Sequence, residues 1–191
     1  MKKLIATILV AALILFGASY VLNDVAAANA QAKHLQIMQT ILPDSTEFVL
    51  EPYSGEDANI RSVHKAENGF VIETVTYGYA SEITMLIGVN NDGFVTGLVV
   101  WDMAETFGLG AKALTDHVFL AQFLNGTGTF AVGTVDAFSS ATGEDTAETD
   151  VAVDAIAGAT VTSKAVIRCV NSAVAYVTGA DATTEATSWG G

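Results

Sequence analysis

The sequence is short of positive charge, of cysteine and of proline, and each shortage excludes something. Its 191 residues carry 8 Lys and Arg against 21 Asp and Glu, a formal net charge of −13. Binding to a phosphate backbone draws its affinity from clustered Lys and Arg, so nucleic acid is excluded as a partner. Adsorption to anionic lipid heads through a basic surface is excluded on the same ground. A single cysteine, Cys169, rules out an internal disulfide framework and any zinc site built from several thiolates. Two prolines and long stretches of patterned apolar residues argue against a disordered or collagen-like chain. The Gly-x-Gly-x-x-Gly fingerprint of dinucleotide binding is missing. His34, His64 and His117 have neither a nucleophile partner nor the spacing of a metal pair, so no catalytic or metal residue is assigned.

What the chain has in excess is hydrophobicity, at 51% of residues, with only 15% charged against about 25% in an average soluble protein. Much of it is concentrated in Leu4 to Leu22, 19 residues without a charge, preceded by Lys2 and Lys3. As a helix this run reaches roughly 28 Å, close to the hydrocarbon thickness of a bilayer. The expectation is a transmembrane anchor over residues 1–23, single-pass, with a cytoplasmic N-terminus and the remainder outside the cytoplasm. A cleaved signal peptide, with Ala26-Ala27-Ala28 as its small-residue site, is the competing reading; the length of the run favours a retained anchor. Without Lys2 and Lys3 the exported part holds six basic and 21 acidic residues, a net of −15. It is large enough to fold around its own core without disulfides.

Residues 24–43 read as a juxtamembrane amphipathic helix, with Val25, Ala28, Ala32, Leu35, Met38 and Leu42 on one side and Pro43 as its stop. Strands rich in β-branched and aromatic residues follow at Glu47–Leu50, Ile60–Lys65, Gly69–Thr76, Glu82–Val89 and Phe94–Trp101. Asn90-Asn91-Asp92-Gly93 between the last two is a hairpin signal. Asp116 caps a short helix from Val118 to Leu124, and Phe130–Val135 is a further strand. Residues 139–150 form a polar acidic loop that lacks the spacing of a calcium site. Val166, Cys169, Val170, Ala173, Val174 and Val177 fall at helical spacing before Gly179, so Cys169 reads as a small buried hydrophobe. Residues 180–191 are an Ala/Thr-rich flexible tail. The expected fold class is α+β: an N-terminal transmembrane helix, then one domain at 44–179 with an antiparallel sheet and flanking helices.

Asp154-Ala155-Ile156-Ala157-Gly158-Ala159-Thr160-Val161-Thr162-Ser163 runs from a turn of small residues straight into that last helix. Unpaired amides and the positive end of a helix dipole favour a phosphate at such a junction, with Lys164 and Arg168 in the first turns. The plainer alternative is that Thr162 or Ser163 simply caps the helix.

The segment resembles the flavinylation motif of FMN-binding domains such as those in the G subunit of the Rnf electron-transport complex and the C subunit of the Na⁺-translocating quinone reductase. That motif is an aspartate, two variable residues, a Ser or Thr, Gly-Ala, a Ser or Thr, one variable residue and a final Ser or Thr. Ala157 departs from the usual hydroxyl residue. A second stretch, Glu105-Thr106-Phe107-Gly108-Leu109-Gly110, is similar to the Glu-Thr-Pro-Gly-Leu-Gly of the same family, with Phe107 in place of the proline. The Rnf subunit fits better than the generally longer quinone reductase one. The resemblance implies FMN joined by a phosphoester to Thr162, with Thr160 as the rival acceptor. It implies a cofactor site of Asp154, Ala157, Gly158, Ala159, Thr160, Val161, Ser163 and Lys164, completed by Glu105, Thr106, Leu109 and Gly110. It further implies a flavin transferase for maturation and other Rnf membrane subunits as partners. The role implied is an electron relay in an ion-translocating ferredoxin:NAD⁺ oxidoreductase, with no independent catalytic activity. A stand-alone flavoprotein and a non-redox exported binding domain are the alternatives.

Overall fold

In the computed structural model, residues 25–132 and 151–179 are described. The chain divides into two units between Ile37 and Met38, and the second holds the sheet and the site. Helix α1 covers residues 25–41. Five strands follow in simple succession: β1 Val49–Glu51, β2 Ile60–Ala66, β3 Gly69–Tyr77, β4 Glu82–Asn90 and β5 Val95–Met103. They pair antiparallel in the order β1-β2-β3-β4-β5, the meander expected from the alternating segments. The hairpin between β4 and β5 forms at the expected place. Gly93 sits at φ +84°, and the Asn90 side-chain oxygen accepts the N–H groups of Asp92 (3.1 Å) and Phe94 (2.8 Å). Positive φ suits glycine, and a Cβ there would also collide with Thr178 at the end of the last helix.

That last helix, α4 (Thr160–Thr178), lies against one face of the sheet. Val166, Cys169, Val170, Ala173 and Val174 are buried among Ile72, Ile83, Met85, Ile87 and Val89. The apolar stripe read from the spacing is therefore the core-facing stripe. Burial pushes the Cys169 thiol up to about 12, so it stays protonated and packs as a small hydrophobe. Gly179, at φ +71°, ends the helix with its N–H on the Ala175 carbonyl (2.8 Å).

Strand β4 is buried over Ile83–Val89, because the opposite face of the sheet is covered as well. Met38, Ile41 and Leu42 are buried, and the Ile41 carbonyl accepts the Thr96 hydroxyl at 2.6 Å. The approach is close enough that a Cβ on Gly97 would lie 2.7 Å from the Ile41 Cα. Two short helices, α2 (Gly110–Thr115) and α3 (His117–Ala121), follow β5. Asp116 caps α3 as expected, accepting from the amides of Val118 (2.9 Å) and Phe119 (3.3 Å).

Two expectations need correction. An architecture opening with a transmembrane helix is not what the described residues contain: no helix among them is long and apolar enough to cross a membrane. The physical reason is visible in the sequence, since α1 carries Asn29, Gln31, Lys33, His34 and Gln36, and α4 carries Lys164, Arg168 and Asn171. The run Leu4–Leu22 lies outside the described residues, as do the acidic loop 139–150 and the tail 180–191. The second correction concerns the sheet. The strand expected at Phe130–Val135 is described as β6, Phe130–Val132, and pairs parallel with β7, Val151–Val153, so the antiparallel meander is accompanied by a parallel pair. Asn171 of α4 pins that pair, bonding both the N–H and the C=O of Phe130 at 2.9 Å.

Phe123 is fully buried between Phe119 (ring centroids 5.5 Å apart) and Phe130 (5.4 Å), joining α3, β6 and the core. Truncating such a ring leaves a cavity that its neighbours cannot fill. Phe123→Ala is expected to lower the unfolding free energy by about 3–5 kcal/mol, read by chemical denaturation.

Candidate functional site

The end of β5 leads into residues 104–109, and α2 begins at Gly110. On the other side, residues 154–159 lead from β7 into α4. The β7–α4 link is fixed at both ends. The Gln122 side chain accepts the Asp154 N–H (2.8 Å) and donates to the Asp154 carbonyl (3.2 Å). Gly158 takes φ +79°, and the Ala159 N–H closes a turn on the Ile156 carbonyl (2.9 Å).

Neither Thr162 nor Ser163 caps α4. The cap position is Ala159, which has no side-chain acceptor, and both hydroxyl residues fall inside the first turn. Ser163 is consumed locally, donating to the Ala159 carbonyl (3.0 Å) and accepting from the Ile156 N–H (3.2 Å). The Thr162 hydroxyl turns the other way and donates to Glu105 Oε2 at 3.1 Å. The first amides of α4 therefore receive no side-chain cap, while the dipole of a 19-residue helix points at the same spot. Gly158 and Thr160 are exposed at this end, and Val161 is half-buried. A phosphate group fits such a surface, with amides as donors and small residues that let it approach.

Glu105 is the centre of the second stretch. Its Oε1 accepts the amides of Ala80 (2.9 Å) and Ser81 (3.0 Å) in the turn between β3 and β4. Burial pushes the carboxyl up, but the amides of Ala80 and Ser81, the Thr162 hydroxyl and the amide of Tyr79 together outweigh it. The group ends below the usual carboxylate value. Gly110 is buried against this pair, and a Cβ on it would lie 2.7 Å from Thr162 Oγ1. The Thr106 carbonyl accepts the N–H groups of Leu109 and Ala111, both at 3.2 Å, opening α2. Leu109 leans toward the β7–α4 link, its Cδ2 lying 3.5 Å from where a Gly158 Cβ would be.

Glu105, Leu109 and Gly110 thus meet Gly158 and Thr162, so the two stretches are neighbours in space. The remaining residues are spread around them: Asp154, Ala157, Thr160 and Lys164 are exposed, Ala159 is buried beneath the turn, and Thr106 acts through its backbone. Arg168 does not join the group. Its guanidinium donates to Thr76 Oγ1 (3.3 Å) and the Tyr77 carbonyl (2.9 Å), tying α4 to the end of β3. Sequence reasoning missed the turn that holds Glu105, although Gly78-Tyr79-Ala80-Ser81 between two β-rich runs marked it. It also missed a groove of about 740 Å³ along β5, α2 and α3, lined by Leu98, Val100, Trp101, Met103, Leu114 and Leu120 among others. No period of the sequence brings those residues together.

Because the folded Glu105 carboxyl lies below its ordinary value of 4.5, it contributes stability above that pH and loses it as pH falls through the lowered value. Wild type is expected to melt above Glu105→Gln at neutral pH, and the gap to close in acid; melting curves across pH 3–7 check the sign.

Comparison with known proteins is consistent with this geometry. The family model described as FMN-binding domain matches residues 78–175, which contain both motifs and the turn that holds Glu105. The G subunit of the Na⁺-translocating ferredoxin:NAD⁺ oxidoreductase complex of Acetobacterium woodii is 36% identical over 73% of this chain. The chain spans only 60% of that relative's length. The G subunit of the ion-translocating oxidoreductase complex of Methanosarcina acetivorans is 33% identical over 78% of this chain and 80% of its own. The corresponding subunit of the proton-translocating ferredoxin:NAD⁺ oxidoreductase complex of Clostridium ljungdahlii is 28% identical over 93% and 89%. With a family model covering half of its length and relatives of this one kind covering most of it, the chain belongs to the FMN-binding domain family.

Proposed function

We propose that this protein is an electron-transfer subunit of an ion-translocating ferredoxin:NAD⁺ oxidoreductase complex, carrying FMN as a phosphoester on Thr162. The observation that carries the reading is the meeting of the two family stretches at one hydroxyl: Glu105 and Gly110 contact Thr162 at the uncapped start of α4. Bound flavin supplies the one- and two-electron chemistry, and the protein supplies position and surroundings. The amides of Thr160 and Val161, the dipole of α4 and the open surface at Gly158 would hold the phosphate. Lys164, exposed at the start of the second turn, is the nearby cation. The groove along β5, α2 and α3 has the volume and the apolar lining for an aromatic ring. Helix α2 links the two, because Gly110 packs on Thr162 while Leu114 and Thr115 line the groove.

Thr162 is fully buried with Gly110 against its hydroxyl, so attachment requires the start of α2 to shift. The stretch that leads into α2 is lightly packed: Phe107 is 96% exposed, and the Cβ position of Gly108 has nothing within 4 Å. The reading brings with it a flavin transferase for maturation and the other components of a membrane complex as partners. A covalent tether suits a carrier that must keep its cofactor where free FMN is dilute.

After incubation with a flavin transferase and a flavin dinucleotide, the protein is expected to fluoresce in a denaturing gel and to gain the mass of FMN less water. Thr162→Ala is expected to lose both. Retained label in Thr162→Ala would move the assignment, and peptide mapping would test Thr160 as the acceptor. Co-purification of the tagged chain with integral-membrane proteins of such a complex tests the relay.

A further inference from the structure

Glu105 is anchored independently of the loop that follows it. Its Oε1 is fixed by two amides of the β3–β4 turn, and only its Oε2 faces Thr162. The turn leaves no room for the carboxylate to retreat, since a Cβ on Gly78 would lie 2.5 Å from Oε1. Gly110 closes the other side against both Oε2 and Thr162 Oγ1. An ionised carboxylate has only acceptor capacity, so the Thr162 hydroxyl is the donor and its proton points at Oε2. A shift of Gly110 away from Thr162 would leave in place the amides of Ala80 and Ser81 that hold Glu105 Oε1.

We propose that Glu105 is the proton acceptor for attachment of flavin to Thr162, a catalytic group that the acceptor protein itself supplies. The proposal rests on the phosphoester reading above. In the step, Thr162 Oγ1 attacks the phosphorus on the riboflavin side of a flavin dinucleotide. The Oγ1–H bond breaks and its proton passes to Glu105 Oε2. The Oγ1–P bond forms, the P–O–P bridge breaks, and AMP leaves with the electron pair of that bond. Nothing is oxidised or reduced. Phosphoryl transfer depends mainly on positioning and charge, and a carboxylate that receives the proton of an attacking hydroxyl is a recurring part of it. A weakly basic carboxylate at hydrogen-bond distance is adequate to this task, because geometry comes before basicity.

The test is the initial rate of labelling of intact wild type, Glu105→Gln and Glu105→Asp by flavin transferase and flavin dinucleotide, read by in-gel fluorescence and mass. Melting curves confirm that each variant is folded. Glu105→Gln keeps the shape but presents an amide to Thr162, and its labelling is expected to fall by about 100-fold or more. Glu105→Asp keeps the charge and is expected to label faster than Gln. At pH values where melting curves show both proteins folded, the ratio of wild type to Glu105→Gln should shrink toward one as pH drops into the acid range, so that the change is not carried by the loss of stability on protonation. Labelling of folded Glu105→Gln at the wild-type rate, Asp no faster than Gln, or a ratio independent of pH would each overturn the proposal while leaving the phosphoester reading intact. A wild type that takes no label would remove that reading, and the proposal with it.

Discussion

The burial of one stripe of α4 against the meander sheet is the contact on which the remaining structure depends. Val166, Cys169, Val170, Ala173 and Val174 are almost wholly excluded from water, and close-packed interiors leave such a helix little freedom to slide or turn. Its polar side chains reinforce the same register. Asn171 clamps β6, Ser172 accepts from Asn59 (3.2 Å), and Arg168 holds the end of β3. Further along, Tyr176 meets Tyr53 and Phe70 edge-on. The first turn inherits its position from this packing. Thr162 therefore stands at a defined point above the sheet edge, where Glu105 arrives from the end of β5.

Much of this was legible because it is local or periodic. Each strand of the meander lies within two residues of its expected segment, since runs of alternating or continuously apolar β-branched residues bounded by turn residues mark a strand. The Asn-Asn-Asp-Gly turn and the helix stop at Gly179 were legible from residues that tolerate positive φ. The rest was hidden for physical reasons. Helix α2 is six residues long, too short for a period, and β6 and β7 have three residues each, with pairing that depends on where the intervening chain returns. The cap of α4 is an alanine, which carries no capping signal, so the neighbouring hydroxyls looked like caps and are in fact inside the helix.

The site was half legible on the same principle. Both motifs could be read along the chain, but the contact between Glu105 and Thr162 joins residues 57 apart and needs the sheet order to be known. The amides that hold Glu105 lie about 25 residues upstream of it, in a turn between two other strands. A carboxylate at this point would be an obstacle to an anionic ligand if it were free. Here four donors share its charge, and one of them is the hydroxyl itself.

The scarcity of positive charge takes on a different meaning in the folded domain. Arg168 is committed to the end of β3, Arg61 pairs with Glu73 at 3.6 Å, and Lys65 pairs with Glu51 at 3.4 Å. Few cations are then left for a phosphate in a chain with a net charge of −13. The start of α4 offers what an acidic surface can still provide: amide donors fixed in direction, a dipole that needs no counter-charge, and no side-chain cap competing for them. Such a site attracts an anion weakly compared with a cluster of arginines, and its hold would fade as the ligand diluted. The proposed covalent bond at Thr162 would remove that weakness without adding positive charge. On the proposed phosphoester, the acidic composition and a tethered cofactor would be two sides of one design: the fold would provide direction, and the bond retention.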